Sequence, residues 1–319
     1  MTLPRRRTFR KQTLITAGGI GLLLILALGI RAQDAAFSSD VRVVTLQAIV
    51  RDRSGAVVRN LTKDDFRVED DGHLQTIRYF SHESDLPLTA ALLVDTSRSM
   101  QSVFEPERVA SNRFFEQVLR DDRDAGAVIH FDMKVGVLQT FTSSREQLAA
   151  ALAKLRIPAR RSTLLYDAIG QTSQDLMRQR SGRKSFILLS DGVDVRSQTT
   201  IGTAIEYAQR ADTMIYSILF DHAPSADADK FPINIGPGLR RGALAMKRLA
   251  RETGGRYFAV SDAEPIDGIY AQIEEELRNE YSIGYTPDKT GSNQKFRKLK
   301  LTTVRKDLAV RTRDGYYPK

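Results

Sequence analysis

The 319-residue chain has no cysteine. That absence removes disulfide scaffolds, thiolate zinc sites, iron–sulfur clusters and cysteine nucleophiles together. Histidine is scarce: His73, His82, His130 and His222 are scattered and show no H-E-x-x-H or other metal-ligating spacing. His130 follows a buried-looking strand, where a packed or hydrogen-bonded ring is the ordinary role. There is no G-x-S-x-G nucleophile elbow and no G-x-x-x-x-G-K-[ST] phosphate loop, so a serine hydrolase and a P-loop ATPase are disfavoured. Acidic residues are missing from positions 1–33, which hold Arg5, Arg6, Arg7, Arg10, Lys11 and Arg31. These supply six of the formal nine net positive charges, leaving three for the rest of the chain. A body so close to neutral has no electrostatic footprint for nucleic acid.

Only one long hydrophobic run is present, Thr13 to Ile30, directly after that basic cluster. Residues 1–33 therefore have the layout of an export signal or an N-terminal membrane anchor. Eighteen helical residues at about 1.5 Å each span about 27 Å, just enough for a bilayer core. Gly18, Gly19 and Gly21 weaken such a helix, and Ala27 and Gly29 fit the small-residue positions of a signal-peptidase site. Arg6-Arg7-Thr8-Phe9-Arg10-Lys11 resembles a twin-arginine export motif, while a generic basic flank would obey the positive-inside rule equally well. Both readings put the remainder outside the cytoplasm, either released to the periplasm or exterior or anchored facing outward.

The rest of the chain, 41% hydrophobic and 27% charged overall, reads as globular. Residues 41–85 read as a small antiparallel β flank. Val44, Leu46, Ala48 and Val50 alternate, and Asp71-Gly72 separates Phe66–Val68 from Thr76–Phe80 as a hairpin would. From residue 86 the pattern becomes strand–helix alternation, the mark of an α/β fold around a mostly parallel sheet. Its strands are continuous apolar runs at 89–94, 125–131, 185–189, 214–220 and 257–260, with 135–141 as an added edge hairpin. Ser144 with Gln147, and Ser261 with Glu264, read as capping boxes ahead of helices, the second carrying the stripe Ile266, Ile269, Tyr270, Ile273 and Leu277. Residues 281–319 return to β character. They are expected to pack with the first flank as one β-sandwich-like subdomain, because neither flank can bury its apolar face alone.

The chemistry gathers at strand ends. The first α/β strand runs into Asp95-Thr96-Ser97-Arg98-Ser99, a later one into Ser190-Asp191-Gly192, and Thr163 stands just before the helix starting near Leu165. Open α/β sheets place ligand sites at these carboxyl edges. Hydroxyls and carboxylates are hard oxygen donors suited to Mg²⁺, Mn²⁺ or Ca²⁺. Taken singly, Asp95, Ser97 and Ser99 could be capping and turn residues; their co-occurrence with Thr163 and Asp191 is what favours a metal. Asp194 reads as a helix-start or loop carboxylate rather than a direct ligand, and Asp167, a turn into its helix, as a residue supporting the ligands or merely as N-terminal helix charge.

Asp95-x-Ser97-x-Ser99, Thr163 and Asp191-Gly192 together resemble the metal-ion-dependent adhesion site of von Willebrand factor type A (VWA) domains, over about residues 86–280. The flanking Leu61–Phe66, Glu280–Tyr285 and Arg313–Tyr317 resemble those of secreted VWA-related proteins common in Acidobacteria. The resemblance implies a Rossmann-like α/β domain with Asp95, Ser97, Ser99, Thr163 and Asp191 as ligands of Mg²⁺ (or Mn²⁺ or Ca²⁺). It also implies a protein partner that supplies an acidic side chain to the metal, with no bond broken and no small-molecule substrate. Two other readings stay open: a metal-dependent phosphohydrolase using Asp95, and a metal-stabilised envelope scaffold. Haloacid-dehalogenase-type phosphotransferases would need a second aspartate at position 97, where Ser97 stands. Arg160-Arg161 and Arg240-Arg241 could steer an acidic partner or simply be solvated. The long loop from Asp221 to Leu239 is a candidate specificity element, and its Asp227 and Asp229 fall short of a calcium-ligand series.

Overall fold

The structure, a computed structural model, describes residues 43–82, 86–120, 122–159, 162–220, 237–287 and 295–318. The export or anchor segment, Arg160-Arg161, and loop residues 221–236 with His222, Asp227 and Asp229 lie outside the described residues. Among the described residues, no helix is long and apolar enough to cross a membrane.

The first flank contributes β1 (Val44–Arg51), β2 (Phe66–Asp70), β3 (His73–Gln75) and β4 (Ile77–His82). The α/β body follows as β5 (Leu88–Asp95), α1 (Phe104–Val118), β6 (Ala125–Phe131), β7 (Val135–Thr142), α2 (Arg145–Leu152), α3 (Leu165–Thr172), β8 (Arg183–Ser190), α4 (Ile201–Arg210), β9 (Met214–Phe220), α5 (Pro237–Thr253), β10 (Tyr257–Val260) and α6 (Ile266–Arg278). The second flank adds β11 (Tyr281–Tyr285), β12 (Arg297–Thr303), β13 (Ala309–Arg311) and β14 (Gly315–Tyr316).

The central sheet has the order β10-β9-β8-β5-β6-β7, and only β7 runs antiparallel to its neighbour. Every residue of β5 and β8 is buried, as expected for strands covered on both faces. Alternation along β5 divides the core. Ala90, Leu92 and Val94 face α1, α2 and α6, whereas Ala91 and Leu93 face α3, α4 and α5. Counted from β5 along the chain, the sheet follows the doubly wound order 3-2-1-4-5-6. The chain leaves β5 toward β6 and later returns on the other side through β8. The carboxyl ends of β5 and β8 therefore flank the topological switch point.

The two flanks interleave. One sheet is β13-β1-β11-β4, with Val44 opposite Tyr285 and Ala48 opposite Tyr281; the other is β14-β12-β2-β3. Leu46, Ala48 and Val50 meet Phe66, Val68, Tyr281, Ile283, Leu299 and Leu301 between them. At one end of this core the buried Asp70 accepts hydrogen bonds from the Tyr285 hydroxyl (2.8 Å), the Tyr316 hydroxyl (3.0 Å) and Arg297 Nε (2.8 Å). A buried carboxylate is tolerable when its acceptor sites are filled in this way.

Two local expectations need correction. The Asp71-Gly72 turn has positive φ at both residues (49° and 81°), as a tight two-residue hairpin demands. It pairs β2 with β3, Asp70 facing His73, whereas Ile77–His82 cross to the other sheet and pair with β11. The Ser261–Glu264 motif does form its bond, Glu264 N to Ser261 Oγ at 3.1 Å, but α6 starts only after the extended Pro265. Ser144 does cap α2, accepting from Gln147 N.

Candidate metal centre

Asp95 is the last residue of β5 and wholly buried. Its Oδ1 accepts Ser97 N at 2.9 Å, and its Oδ2 accepts the Ser190 hydroxyl at 2.6 Å from the end of β8. The Ser190 hydroxyl in turn accepts Gly192 N at 2.9 Å. One carboxylate thus fixes the loops that leave both switch-point strands. Turned back by its bond to Asp95, the chain brings the Ser97 and Ser99 hydroxyls to 3.0 Å from each other. Asp191, 4% exposed, accepts Val193 N through Oδ1 at 2.9 Å. Thr163 arrives on a third segment, tied to the Asp191 loop by backbone bonds in both directions with Val195 (3.3 and 2.8 Å).

Ser97, Ser99, Thr163 and Asp191 line one cavity of about 390 Å³, together with Arg98, Gln101, Ser162, Val193 and Val195. Asp95, bonded to Ser97 N, is not among the residues that line it. Burial and the neighbouring Asp191 carboxylate push the Asp95 carboxyl up to about 7, although its bonds from Ser190 and Ser97 pull the other way. Two carboxyl groups that repel each other beside open hydroxyls suit a cation that neutralises them. Among the described residues, no group of three or more His, Cys, Asp or Glu side chains is placed to hold a metal. The donor set here is mostly hydroxyl, which hard oxygen-preferring cations accept.

Several supporting residues carry more than their sequence signals suggested. Asp132 directly follows β6; its Oδ2 accepts the Thr96 hydroxyl at 2.8 Å and its carbonyl accepts Leu164 N at 3.1 Å. It therefore couples the Asp95 turn to the Thr163 segment. Asp194 accepts the Ser197 hydroxyl (2.5 Å) and Tyr166 N (3.3 Å), and Asp167 accepts Gln198 N (3.0 Å) and Thr199 N (2.8 Å). These two acids lock the start of α3 against the loop after β8. Burial alone would raise the Asp167 carboxyl, but the bonds from Thr199 and Gln198 hold it below the usual range. His130 packs on Gly136 and lies 3.4 Å from Asp132.

Gly192 has φ of +75°, and a Cβ there would stand 2.4 Å from the Gly242 carbonyl oxygen and 2.7 Å from Met246 Cγ. The Asp191 loop can lie against α5 only because this position has no side chain. Gly192→Ala is expected to lower stability by about 1–2 kcal/mol from the left-handed backbone alone, with the clash added. It should also shift the Asp191 carboxylate. Thermal unfolding checks this; a variant with wild-type Tm would contradict the packing described.

A doubly wound sheet whose switch point carries hydroxyl and carboxylate side chains from three loops defines an α/β domain with a polar crevice at the carboxyl ends of its central strands. Its family model, the von Willebrand factor type A domain, matches residues 91–272. The chain belongs to that family. Among solved structures, proximal thread matrix protein 1 from the mussel byssus, with a zinc-occupied MIDAS motif, is 12% identical with a TM-score of 0.51; 66% of this chain and 50% of that one are covered. A von Willebrand factor type A protein from Catenulispora acidiphila is 13% identical with a TM-score of 0.49, covering 80% of this chain and 74% of that one. The vWF domain of the type V pili tip protein Mfa5 from Porphyromonas gingivalis is 13% identical with a TM-score of 0.46, covering 60% and 95%. The chain spans about half the length of the mussel protein. No curated protein matches the chain significantly.

Proposed function

We propose that this chain is an exported or membrane-anchored VWA protein that binds a partner through a divalent cation, Mg²⁺ or its near equivalents Mn²⁺ and Ca²⁺. Asp95, Ser97, Ser99, Thr163 and Asp191 would hold the cation, and an acidic side chain of a partner protein would complete its shell. The observation that carries this reading is the convergence of four of these residues, from three separate segments, on one cavity, with Asp95 bonded to the backbone beneath it. The cation supplies Lewis acidity toward a partner carboxylate; the chain supplies position and charge. Arg98 on the rim favours an acidic partner.

The phosphohydrolase alternative asks Asp95 to attack a substrate. Both its oxygens are hydrogen-bonded inside the protein and neither is exposed, which argues for a binding role. The domain plan that accompanies the proposal is a signal or anchor at 1–33, a β flank at 41–85, the VWA domain at 86–280 and its partner flank at 281–319.

Calorimetric titration with Mg²⁺ and Mn²⁺, followed by pull-down from the source envelope with and without chelator, tests the function. Absence of cation binding sinks it. N-terminal sequencing of protein recovered from membranes and from supernatant distinguishes anchor from cleaved signal. An intact Met1 in soluble cytoplasmic protein would contradict both.

A further inference from the structure

At the amino edge of the central sheet a second cavity, of about 500 Å³, opens where the flanks meet the α/β body. Its wall comes from β1 and β11 of the flanks, the turn before β8, the α4–β9 turn and Arg313. Lys184, the second residue of β8, lines it, and roughly 23 Å of strand separate that residue from Asp191 at the opposite edge. The charge in this wall is lopsided. Arg178, Arg180, Lys184 and Arg313 stand against one acid, Asp212, a surplus equal to the whole formal surplus of the chain beyond residue 33. That acid is already paired: Asp212 Oδ1 accepts Arg313 Nη1 at 2.8 Å, while Arg313 Nη2 donates to the Thr45 carbonyl at 2.9 Å. Arg313 is thereby fixed across the seam, and its Nε is buried with no hydrogen-bond partner. Gln47 Oε1, in the same wall, is likewise buried and unpartnered; its amide, turned over, presents NH₂ instead. Lys184, 7% exposed, donates to the Arg180 carbonyl at 3.0 Å and so shapes the turn that carries Arg178 and Arg180. Both arginines are exposed, and among the described residues neither guanidinium has an ion pair; Arg180 lies over the Phe141 ring at 5.2 Å.

A buried donor without an acceptor, in one wall with guanidinium groups that lack counter-charges, calls for an anion. A single carboxylate would leave most of the surplus standing, whereas a phosphate monoester brings about two negative charges at neutral pH and three strong acceptor oxygens. Guanidinium forks and a lysine ammonium are the side chains that match those oxygens. The volume lies within the range of roughly 300–1,000 Å³ usual for small-molecule sites. We propose that this cavity binds a small phosphorylated molecule, its phosphate group held among Arg178, Arg180, Lys184 and Arg313. Because its wall is shared between the flanks and the α/β body, the bound ligand ties the two together. The cation site plays no part in this binding.

The full chain, in buffer freed of divalent cations and at constant ionic strength, is titrated by calorimetry with inorganic phosphate, with glycerol 3-phosphate and, for comparison, with acetate. Wild type is expected to bind both phosphates and to bind acetate more weakly. The double variant Arg178→Gln/Arg180→Gln should lose about tenfold or more in phosphate affinity, since a hydrogen bond to a charged group is worth at least about that factor. Its Tm without phosphate should stay near that of wild type, both side chains being exposed. Asp191→Ala, altered at the far edge, should bind phosphate as wild type does. No phosphate binding by wild type overturns the proposal, and so does unchanged affinity in the double variant or equal affinity for acetate. Phosphate affinity lost in Asp191→Ala would place the anion in the other crevice and overturn it too. Should the double variant fail to fold, the single variants Arg178→Gln and Arg180→Gln decide by the same measure.

Discussion

Asp191→Ala is expected to abolish measurable Mg²⁺ and Mn²⁺ binding while leaving the protein folded. Residues that only support a metal ligand cost about tenfold to a hundredfold in affinity when removed, so a direct carboxylate ligand should cost at least the upper end of that range. The structural penalty is small, because the hydrogen bond Asp191 accepts comes from Val193 in its own loop. Asp95→Ala is the less clean experiment. It strands Ser97 N and the Ser190 hydroxyl, both buried, and each unsatisfied donor costs about 1–3 kcal/mol. A cation at a hundred times its Kd stabilises the wild type by about 2.7 kcal/mol. Mg²⁺ should therefore raise the wild-type Tm and leave that of Asp191→Ala unmoved. Equal calorimetric affinity in wild type and Asp191→Ala would remove Asp191, and with it the site, from the metal proposal.

The strands of the α/β body are legible because burial on both faces leaves continuous apolar runs at their centres. Met214–Phe220 and Tyr257–Val260 are found where the runs begin and end. The ligand candidates are legible for a different reason: Asp95, Ser97, Ser99 and Asp191 sit directly after such runs, where no core packing explains polar residues. What escapes is polarity inside a regular pattern. Glu107 occupies a core-facing position of α1, and Glu276 one of α6 between Ile273 and Leu277, all three of the latter buried. A stripe read by its apolar members passes over the acid that interrupts it, although the interruption is itself the signal. Asp132 escapes because an acid after a strand looks like any turn residue, and its bonds to Thr96 and Leu164 join segments more than thirty residues apart in sequence. The sheet change at Thr76 escapes because pairing is decided by β11, about two hundred residues later.

Glu276→Ala is expected to be the most destabilising single change outside the apolar core. The Glu276 side chain is fully buried and receives three guanidinium groups: Arg51 from β1 at 2.7 Å, Arg256 at 3.2 Å, and Arg311 from β13. It ties both flanking segments to α6. Removing one member of a buried ionic cluster leaves the others uncompensated, at about 3–5 kcal/mol. For a chain of this size that lowers Tm by roughly 10 °C. The pH dependence has a definite sign. Burial alone would raise the Glu276 carboxyl, but Arg311 and Arg51 hold it below the ordinary glutamate value. A depressed folded value contributes stability that is present above the unfolded value, near 4.5, and is lost as pH falls through the folded one. Glu276→Gln should therefore show a flatter acid limb than wild type in denaturant titrations between roughly pH 3 and pH 6, an interval that brackets the unfolded value. Arg183, the first residue of β8, donates to the Leu277 carbonyl, so the end of α6 lies at the amino edge of the sheet. Asp191 follows the other end of the same strand, roughly 25 Å away. The two edges should then separate experimentally: at a temperature where Glu276→Ala is still folded, its Mg²⁺ affinity should equal that of wild type. A joint loss of stability and cation affinity would mean that the flanks help shape the crevice, and a wild-type Tm would mean that the cluster does not bind the flanks to the body.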